Sequence, residues 1–520
     1  MTDNARSPGR RIRLYLYLII AFGVCLRMVY FSQEIGGSHT FRQAMVANQI
    51  DSLKSGPYPG PKLGFLERYD QVYDYGVVFY DTPIYQYISA EISDLLGLNA
   101  VRAARLFNLA IYIGISLVFY EIMMEIGLSV PVSLLTMALF AVSPLGIQNL
   151  IGIYPDTLAT VAAYLSFYVL IQYERQRTLR HWLAALALGY VCTLIKSSIY
   201  VVFLVAYAWN LLWTERLRVF RRFDAMAFAV LIAASVGLFV VLRTYFNYDH
   251  VIDATDANYN ESLRLSWFLG SDAQRFDLSE WREIGSRFTF EYLFPAFMPF
   301  AVVGLWRVFR AFLKKPDDPQ RTLVGLVIGA VAMILVFFNV FFRHDYYALP
   351  LIPIYCALTS IGLFYAHSSF AAPFAGRPRA FAAFAVVAVG ISLYYAFSLR
   401  LLNYEGNQGS IETGRSLQEL VPADGTLFYF HGADYINPEY LYYARRRGVL
   451  YDLANARNDF VEKIIKTHHW DPGNTYLLAL GYRVRPEYVE RLKQQLDRYN
   501  LTQIGTTYDN GIVYKISPKG

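Results

Sequence analysis

Several short stretches hold side chains able to move a proton or bind an anion. Gly36-Gly37-Ser38-His39-Thr40-Phe41-Arg42-Gln43 sets a base, a cation and an amide close together. Arg343-His344-Asp345-Tyr346-Tyr347 joins a cation, an imidazole, a carboxylate and two rings. Asp81-Thr82-Pro83 and Tyr154-Pro155-Asp156-Thr157 each put a carboxylate at the start of a helix-like run, and Lys196-Ser197-Ser198 is a polar break in an apolar stretch. A carboxylate or imidazole can take the proton of an attacking hydroxyl. Arg and Lys can stabilise charge growing on a departing phosphate. Each stretch also has a plainer use. Asp81 or Thr82, and Asp156, suit helix caps. Lys196 can snorkel, Arg343-His344-Asp345 can pair internally to anchor a helix, and Gly36–Gln43 can be an interfacial turn. None decides alone; their common side is the stronger signal.

The elements that must position them cross a membrane. The chain is 55% hydrophobic and 17% charged, well under the roughly 25% charged of soluble domains. A spanning helix needs about 20 mostly apolar residues. Eleven spans are expected, at 13–32, 104–123, 129–147, 156–173, 181–196, 198–213, 224–246, 290–308, 322–341, 347–366 and 381–400. Basic residues fall in alternate loops: Arg6, Arg10, Arg11 and Arg13; Arg175, Arg177 and Arg180; Arg216, Arg218, Arg221 and Arg222; Arg307, Arg310, Lys314, Lys315 and Arg321; Arg377 and Arg379. The opposite short turns hold only Lys196 and Arg343. This asymmetry predicts a cytoplasmic N-terminus and an odd number of spans. All the chemistry-bearing stretches then share the outer face. The fifth and sixth spans, joined at Lys196, are easily miscounted as one helix.

Two outer loops, 33–103 and 247–289, belong to the membrane domain, 1–400. The first contains a Pro/Gly-rich piece, 56–61, and an aromatic-acidic piece, 69–75. Ala44–Leu53 and Ile84–Leu96 within it look amphipathic, which predicts short interfacial helices. The tail, 401–520, alternates strand-like runs (Thr426–Phe430, Val449–Leu453, Thr475–Leu480, Gly511–Ile516) with helix-like ones (Pro438–Arg446, Phe460–His468, Pro486–Tyr499), the pattern of a small soluble α/β domain. Cys25, Cys192 and Cys356 lie inside spans, without metal-ligand spacing. The first span is followed by no small-residue cleavage site, so it reads as an anchor. Net charge +6 comes largely from orienting loops, and no nucleic-acid partner is expected. No zinc-protease pair, phosphate-cradling Gly loop or nucleophile elbow occurs.

With these residues in view, the chain resembles the GT-C glycosyltransferases, in the family 39-like branch of protein O-mannosyltransferases and aminoarabinose transferases. Asp81-Thr82-Pro83-Ile84 is similar to that branch's acidic-x-His-Pro-Pro segment, Tyr154-Pro155-Asp156 to its Pro-Asp entry to the fourth span, Leu194-Ile195-Lys196-Ser197 to its Lys turn, and His344-Asp345-Tyr346-Tyr347 with Leu349-Pro350 to a late-span motif. One departure stands out: Ser38-His39 follows Gly36-Gly37 where the family has an acidic pair.

The resemblance implies a polytopic α-helical membrane enzyme in the plasma membrane, the bacterial inner membrane, with a periplasmic C-terminal domain and a place in cell-envelope glycan biosynthesis. It implies transfer of a hexose or pentose from a polyprenyl-phosphate-linked donor to a hydroxyl of a glycolipid, polysaccharide or protein, with inversion. The expected catalytic residues are Asp81, His39 and Glu34, alternatives for the base. Arg42, Lys196, Arg343 and His344 are expected at the donor phosphate, and Asp156, Tyr346, Tyr85 and Gln43 near the sugar. No cofactor is required, although scattered outer carboxylates could hold a divalent cation. Two alternatives remain. A lipid-linked-sugar flippase needs polar residues deeper in the bilayer, and 381–393 has no ionisable residue. A non-catalytic glycolipid-binding subunit predicts that neutral changes at Asp81 and Lys196 leave function intact.

Overall fold

The computed structural model describes residues 10–37, 39–54, 81–248, 266–314, 318–370, 378–401, 408–422, 425–431, 439–452, 476–480, 486–497 and 499–519. The pieces 56–61 and 69–75 and the run 460–468 lie outside the described residues. Backbone in hydrocarbon must satisfy its own N–H and C=O groups, so the apolar stretches form helices. In chain order these are α1 (Arg10–Met28), α2 (Thr40–Lys54), α3 (Ile84–Leu96), α4 (Ala100–Glu125), α5 (Val130–Ala141), α6 (Pro144–Ile151), α7 (Asp156–Gln176), α8 (Leu179–Glu215), α9 (Phe223–Tyr248), α10 (Asp272–Phe276), α11 (Leu278–Phe290), α12 (Met298–Lys314), α13 (Asp318–Val336), α14 (Phe338–Arg343), α15 (Ile352–Phe370) and α16 (Pro378–Tyr395).

Among the described residues, six helical stretches are long and apolar enough to cross a membrane, or seven with the bent pair α5 and α6 taken as one span. The other expected spans are helical but short or polar. Four arginines interrupt α1, and Asp156, Thr157, Thr160 and Ser166 dilute α7. The third expected span is broken by 58° between α5 and α6, where Ser143 and Pro144 start a new helix. The eighth begins later than expected, because Pro295–Phe297 forms a 3-10 turn before α12.

α8 runs 37 residues, about 55 Å if straight against a hydrocarbon core of about 30 Å. It is not straight. Lys196 has φ −155° and ψ 86°. Ser166 Oγ lies 2.7 Å from both the Ala185 carbonyl and the Tyr200 hydroxyl, groups that a straight helix would hold about 22 Å apart along its axis. The chain therefore folds back at Lys196, as the polar break predicts.

α2 departs from expectation. Ala44, Val46, Ala47, Ile50 and Leu53 are buried, but so are Arg42, Gln43 and Gln49. It is packed on several sides, against α3, α4 and the C-terminal domain. Arg105 on α4 fixes its approach. The guanidinium donates to the carbonyls of Tyr30 (2.9 Å), Phe31 (3.2 Å), Gln33, Glu34 (3.1 Å) and Ile151 (3.2 Å). It thus satisfies backbone just past the end of α1 and at the end of α6, where no helical N–H is available.

The C-terminal domain is a five-stranded mixed sheet, order β2-β1-β3-β5-β4, of β1 (Thr426–His431), β2 (Arg447–Asp452), β3 (Tyr476–Leu480), β4 (Tyr499–Thr506) and β5 (Ile512–Pro518). β1 pairs in parallel with β2 and β3; β5 is antiparallel to β3 and β4. Helices α17 (Gln408–Leu420), α18 (Glu439–Ala444) and α19 (Pro486–Gln495) accompany it. The polar edge strand β4 and helix α17 were not among the expected elements. The domain meets the first loop directly: Tyr443 Oη accepts from Ile35 N at 3.1 Å.

Candidate active site

Four charged side chains from four elements meet in the protein interior. Asp81 comes just before α3, Arg42 from the first turn of α2, Asp156 from the start of α7 and Lys196 from the break in α8. Arg42 Nη2 donates to Asp81 Oδ2. Lys196 Nζ donates to Asp81 Oδ1 at 3.2 Å and stands 3.8 Å from Asp156 Oδ1. All four are buried.

Neither carboxylate is a helix cap. The N-cap positions belong to Pro83 and Pro155, with no side-chain capping bond. Lys196 does not snorkel: its ammonium lies over the Tyr347 ring, 5.0 Å from the centroid. The group is neutral as a whole, two cations against two anions. Burying four charges is costly even when paired, and apolar packing at the same places is commonly as stable. Such a cluster suggests a use beyond folding. Among the described residues neither oxygen of Asp156 has a hydrogen-bond partner, so the carboxylate can still accept one. Burial lowers the Arg42 pKa, but Asp81, then Tyr346 and Asp156, raise it further, and the guanidinium stays charged.

The 3-10 turn Asp345–Leu351, which leads into α15, supplies the aromatic side. Tyr346 stacks on Tyr154 at 5.0 Å, on His344 at 5.1 Å and on Tyr347 at 5.2 Å. His39 stands edge-on to His344 and Tyr346, both at 5.1 Å, and its Nε2 lies 3.1 Å from Asp345 Oδ1. Burial first, then the neighbouring His39 and Lys196, push the His344 pKa down to about 3, so its imidazole is neutral.

The structure thus joins His39, Arg42, Asp81, Asp156, Lys196, His344 and Tyr346. It places the other expected residues elsewhere. Glu34 is half exposed and pairs with Arg415 of the C-terminal domain at 3.5 Å. Its backbone faces Arg105, which turns it away from the cluster. Arg343, the last residue of α14, is exposed, its guanidinium over the Phe342 ring. Tyr85 is fully buried, its hydroxyl 3.1 Å from Asn108 Oδ1, and ties α3 to α4. Gln43 donates to the Gly36 carbonyl at 2.8 Å and closes the turn before His39. Tyr346 is enclosed by the rings around it and forms part of the site's wall.

Sequence reasoning left out Asp345, treated only as a partner for its chain neighbours, and Tyr347. It also left out Asn108, which accepts from Thr157 (2.8 Å) and donates to the Gly152 carbonyl (2.6 Å), setting the start of α7. An asparagine and an arginine inside the long apolar α4 were the signal available for Asn108 and Arg105. Among the described residues, no three His, Cys, Asp or Glu side chains gather to share a metal ion.

The fold and one stretch of the sequence have known counterparts. Residues 68–257, which include Asp81, Asp156 and Lys196, match the family model described as dolichyl-phosphate-mannose-protein mannosyltransferase. ArnT from Cupriavidus metallidurans bound to undecaprenyl phosphate superposes with a TM-score of 0.59 at 12% identity, covering 98% of each chain. The fold is GT-C. The archaeal oligosaccharyltransferase AglB from Archaeoglobus fulgidus, in complex with an inhibitory peptide and a dolichol-phosphate, shares this GT-C fold with a TM-score of 0.57 at 11% identity, over 95% of this chain and 73% of its own. The mycobacterial arabinofuranosyltransferase AftD gives 0.52 at 13% identity, over 98% of this chain and 42% of its own. No curated protein sequence matches the chain.

Proposed function

We propose that this protein transfers a sugar from a polyprenyl-phosphate-linked donor to an acceptor hydroxyl at the outer face of a plasma membrane. The supporting observation is the pair Lys196 and Arg42, buried together around Asp81 beside a second carboxylate, Asp156. A donor phosphate entering the cluster takes over contacts that Asp81 now makes. The two cations then meet the charge that grows on the phosphate as the anomeric bond breaks. They are already in place, so little reorganisation is needed at that moment. The open lone pairs of Asp156 suit a hydroxyl of the donor sugar. The acceptor attacks in line from the opposite side, which inverts the anomeric carbon. The family-model match over this region and the lipid phosphates named for ArnT and AglB support the donor class.

The test is release of undecaprenyl phosphate by the purified protein from undecaprenyl-phosphate-linked hexoses and pentoses, with an envelope extract as acceptor. K196A is expected to lose about 10²–10³-fold in rate and to bind undecaprenyl phosphate more weakly. D81N is also expected to lose turnover. Wild type that binds the lipid but releases none with any extract supports a non-catalytic binding subunit instead.

A further inference from the structure

We infer that His39 is the base that receives the acceptor's proton and that the Asp345 carboxylate beside it stabilises the imidazolium, a reading that rests on the transfer reaction proposed above. The inference begins with what Asp81 and Asp156 cannot do. Asp81 has one oxygen on Arg42 and the other on Lys196, and its side chain is 1% exposed. A carboxylate held by two cations is a weak base. Asp156 is fully buried behind Lys196. An acceptor arriving from the aqueous side meets neither first.

His39 differs on each point. Its side chain is 23% exposed, at the edge of the same aromatic group that floors the cluster. Nε2 stands 3.1 Å from Asp345 Oδ1. Nε2–H is not aimed at that oxygen well enough to donate to it, so the contact is one of charge. No hydrogen bond of Nδ1 to any described residue forms, and it is not among the buried polar atoms. The backbone holds this pose deliberately. His39 has φ 53°, a left-handed conformation uncommon for a side-chain-bearing residue, and its carbonyl accepts from Arg42 N and Gln43 N at 2.9 and 3.1 Å. One residue thus starts α2, which carries Arg42, and sets the imidazole against Asp345. The groups facing it are Asp345, His344 and Tyr346, with Lys196 and Arg42 behind them. Only Asp345 among these is an anion in contact.

In the step, the acceptor oxygen forms the new bond to the anomeric carbon. The carbon–oxygen bond to phosphate breaks, its electron pair leaving with the polyprenyl phosphate. The hydroxyl proton passes to the His39 imidazole, whose positive charge the Asp345 carboxylate offsets until water takes the proton.

The experiment compares wild type, H39Q and D345N in undecaprenyl phosphate release from the same donors, with undecaprenyl phosphate binding and thermal stability as controls. H39Q is expected to lose about 10²–10³-fold in kcat with lipid binding within twofold of wild type. D345N is expected to fall about tenfold in kcat with KM within twofold of wild type, because the imidazolium loses its anion, and D345E to recover most of that rate. A merely structural Asp345 would lower thermal stability and lipid binding along with the rate. Release by H39Q or by D345N at the wild-type rate overturns the dyad and leaves the transfer reaction standing. Absence of release from wild type overturns the transfer reaction, and the dyad with it.

Discussion

At the scale of single residues, the proposed reaction divides the site into charge that binds and an imidazole that takes the proton. Arg42, Lys196, Asp81 and Asp156 form a buried, formally neutral set, and His39 stands at its more exposed edge. His344 is the quiet member. Its folded pKa of about 3 lies below the ordinary value of 6.5, so between these values the unfolded chain binds more protons. The stabilisation is fully present above about pH 6.5 and is lost as pH falls toward about 3. Thermal stability of wild type is therefore expected to fall more steeply than that of H344F as pH drops from 7 to 4. Parallel curves would refute a buried neutral His344.

At the scale of elements, close helix contact and arginine-capped ends hold the site's frame. Gly304 on α12 and Gly362 on α15 face each other: a Cβ on Gly304 would strike the Leu358 carbonyl, and one on Gly362 the Phe300 carbonyl. Small residues permit this approach where lipid, as apolar as the side chains, gives helices little reason to associate. G304L is expected to cost upwards of about 1–3 kcal/mol, read as a lower unfolding temperature in detergent. G237L, on α9 where no atom lies within 4 Å of the added carbon, is the matched control and is expected to unfold like wild type. Because α15 begins at the turn carrying Asp345–Leu351, a shift there also displaces the aromatic wall.

At the scale of the whole molecule, the C-terminal domain grips the segment that leads into His39. Two of its contacts with that segment carry unequal weight. The Glu34–Arg415 pair is half exposed on both sides, and such surface pairs contribute about 0–1 kcal/mol. The buried bond from Ile35 N to Tyr443 Oη leaves an unsatisfied N–H if removed, costing about 1–3 kcal/mol. Y443F is expected to raise hydrogen exchange at the Ile35 amide about tenfold or more, while R415A leaves it within twofold. Equal effects would mean that the domain is held by its charged rim.

The sequence by itself determined the membrane class, the placement of most helices, the break at Lys196 and most residues of the cluster. These are local properties. Hydrophobic runs must be helical in hydrocarbon, and a lysine with two serines cannot continue an apolar span unnoticed. The helix Ile84–Leu96 was legible from its amphipathic pattern. Partners were decided only by the tertiary structure. Asp81 and Asp156 each precede or begin a helix, and sequence cannot tell a cap from a carboxylate turned across to Lys196, over a hundred residues from Asp81. Glu34, Arg343 and Tyr85 have suitable chemistry and lie near the site in sequence, yet the end of α14, the grip of Arg105 and the α3–α4 contact direct them elsewhere. Asp345 pairs with a histidine from the far end of the chain instead of its neighbours. Distance along the chain carries no information about such contacts, because the packing of many helices closes all of them at once.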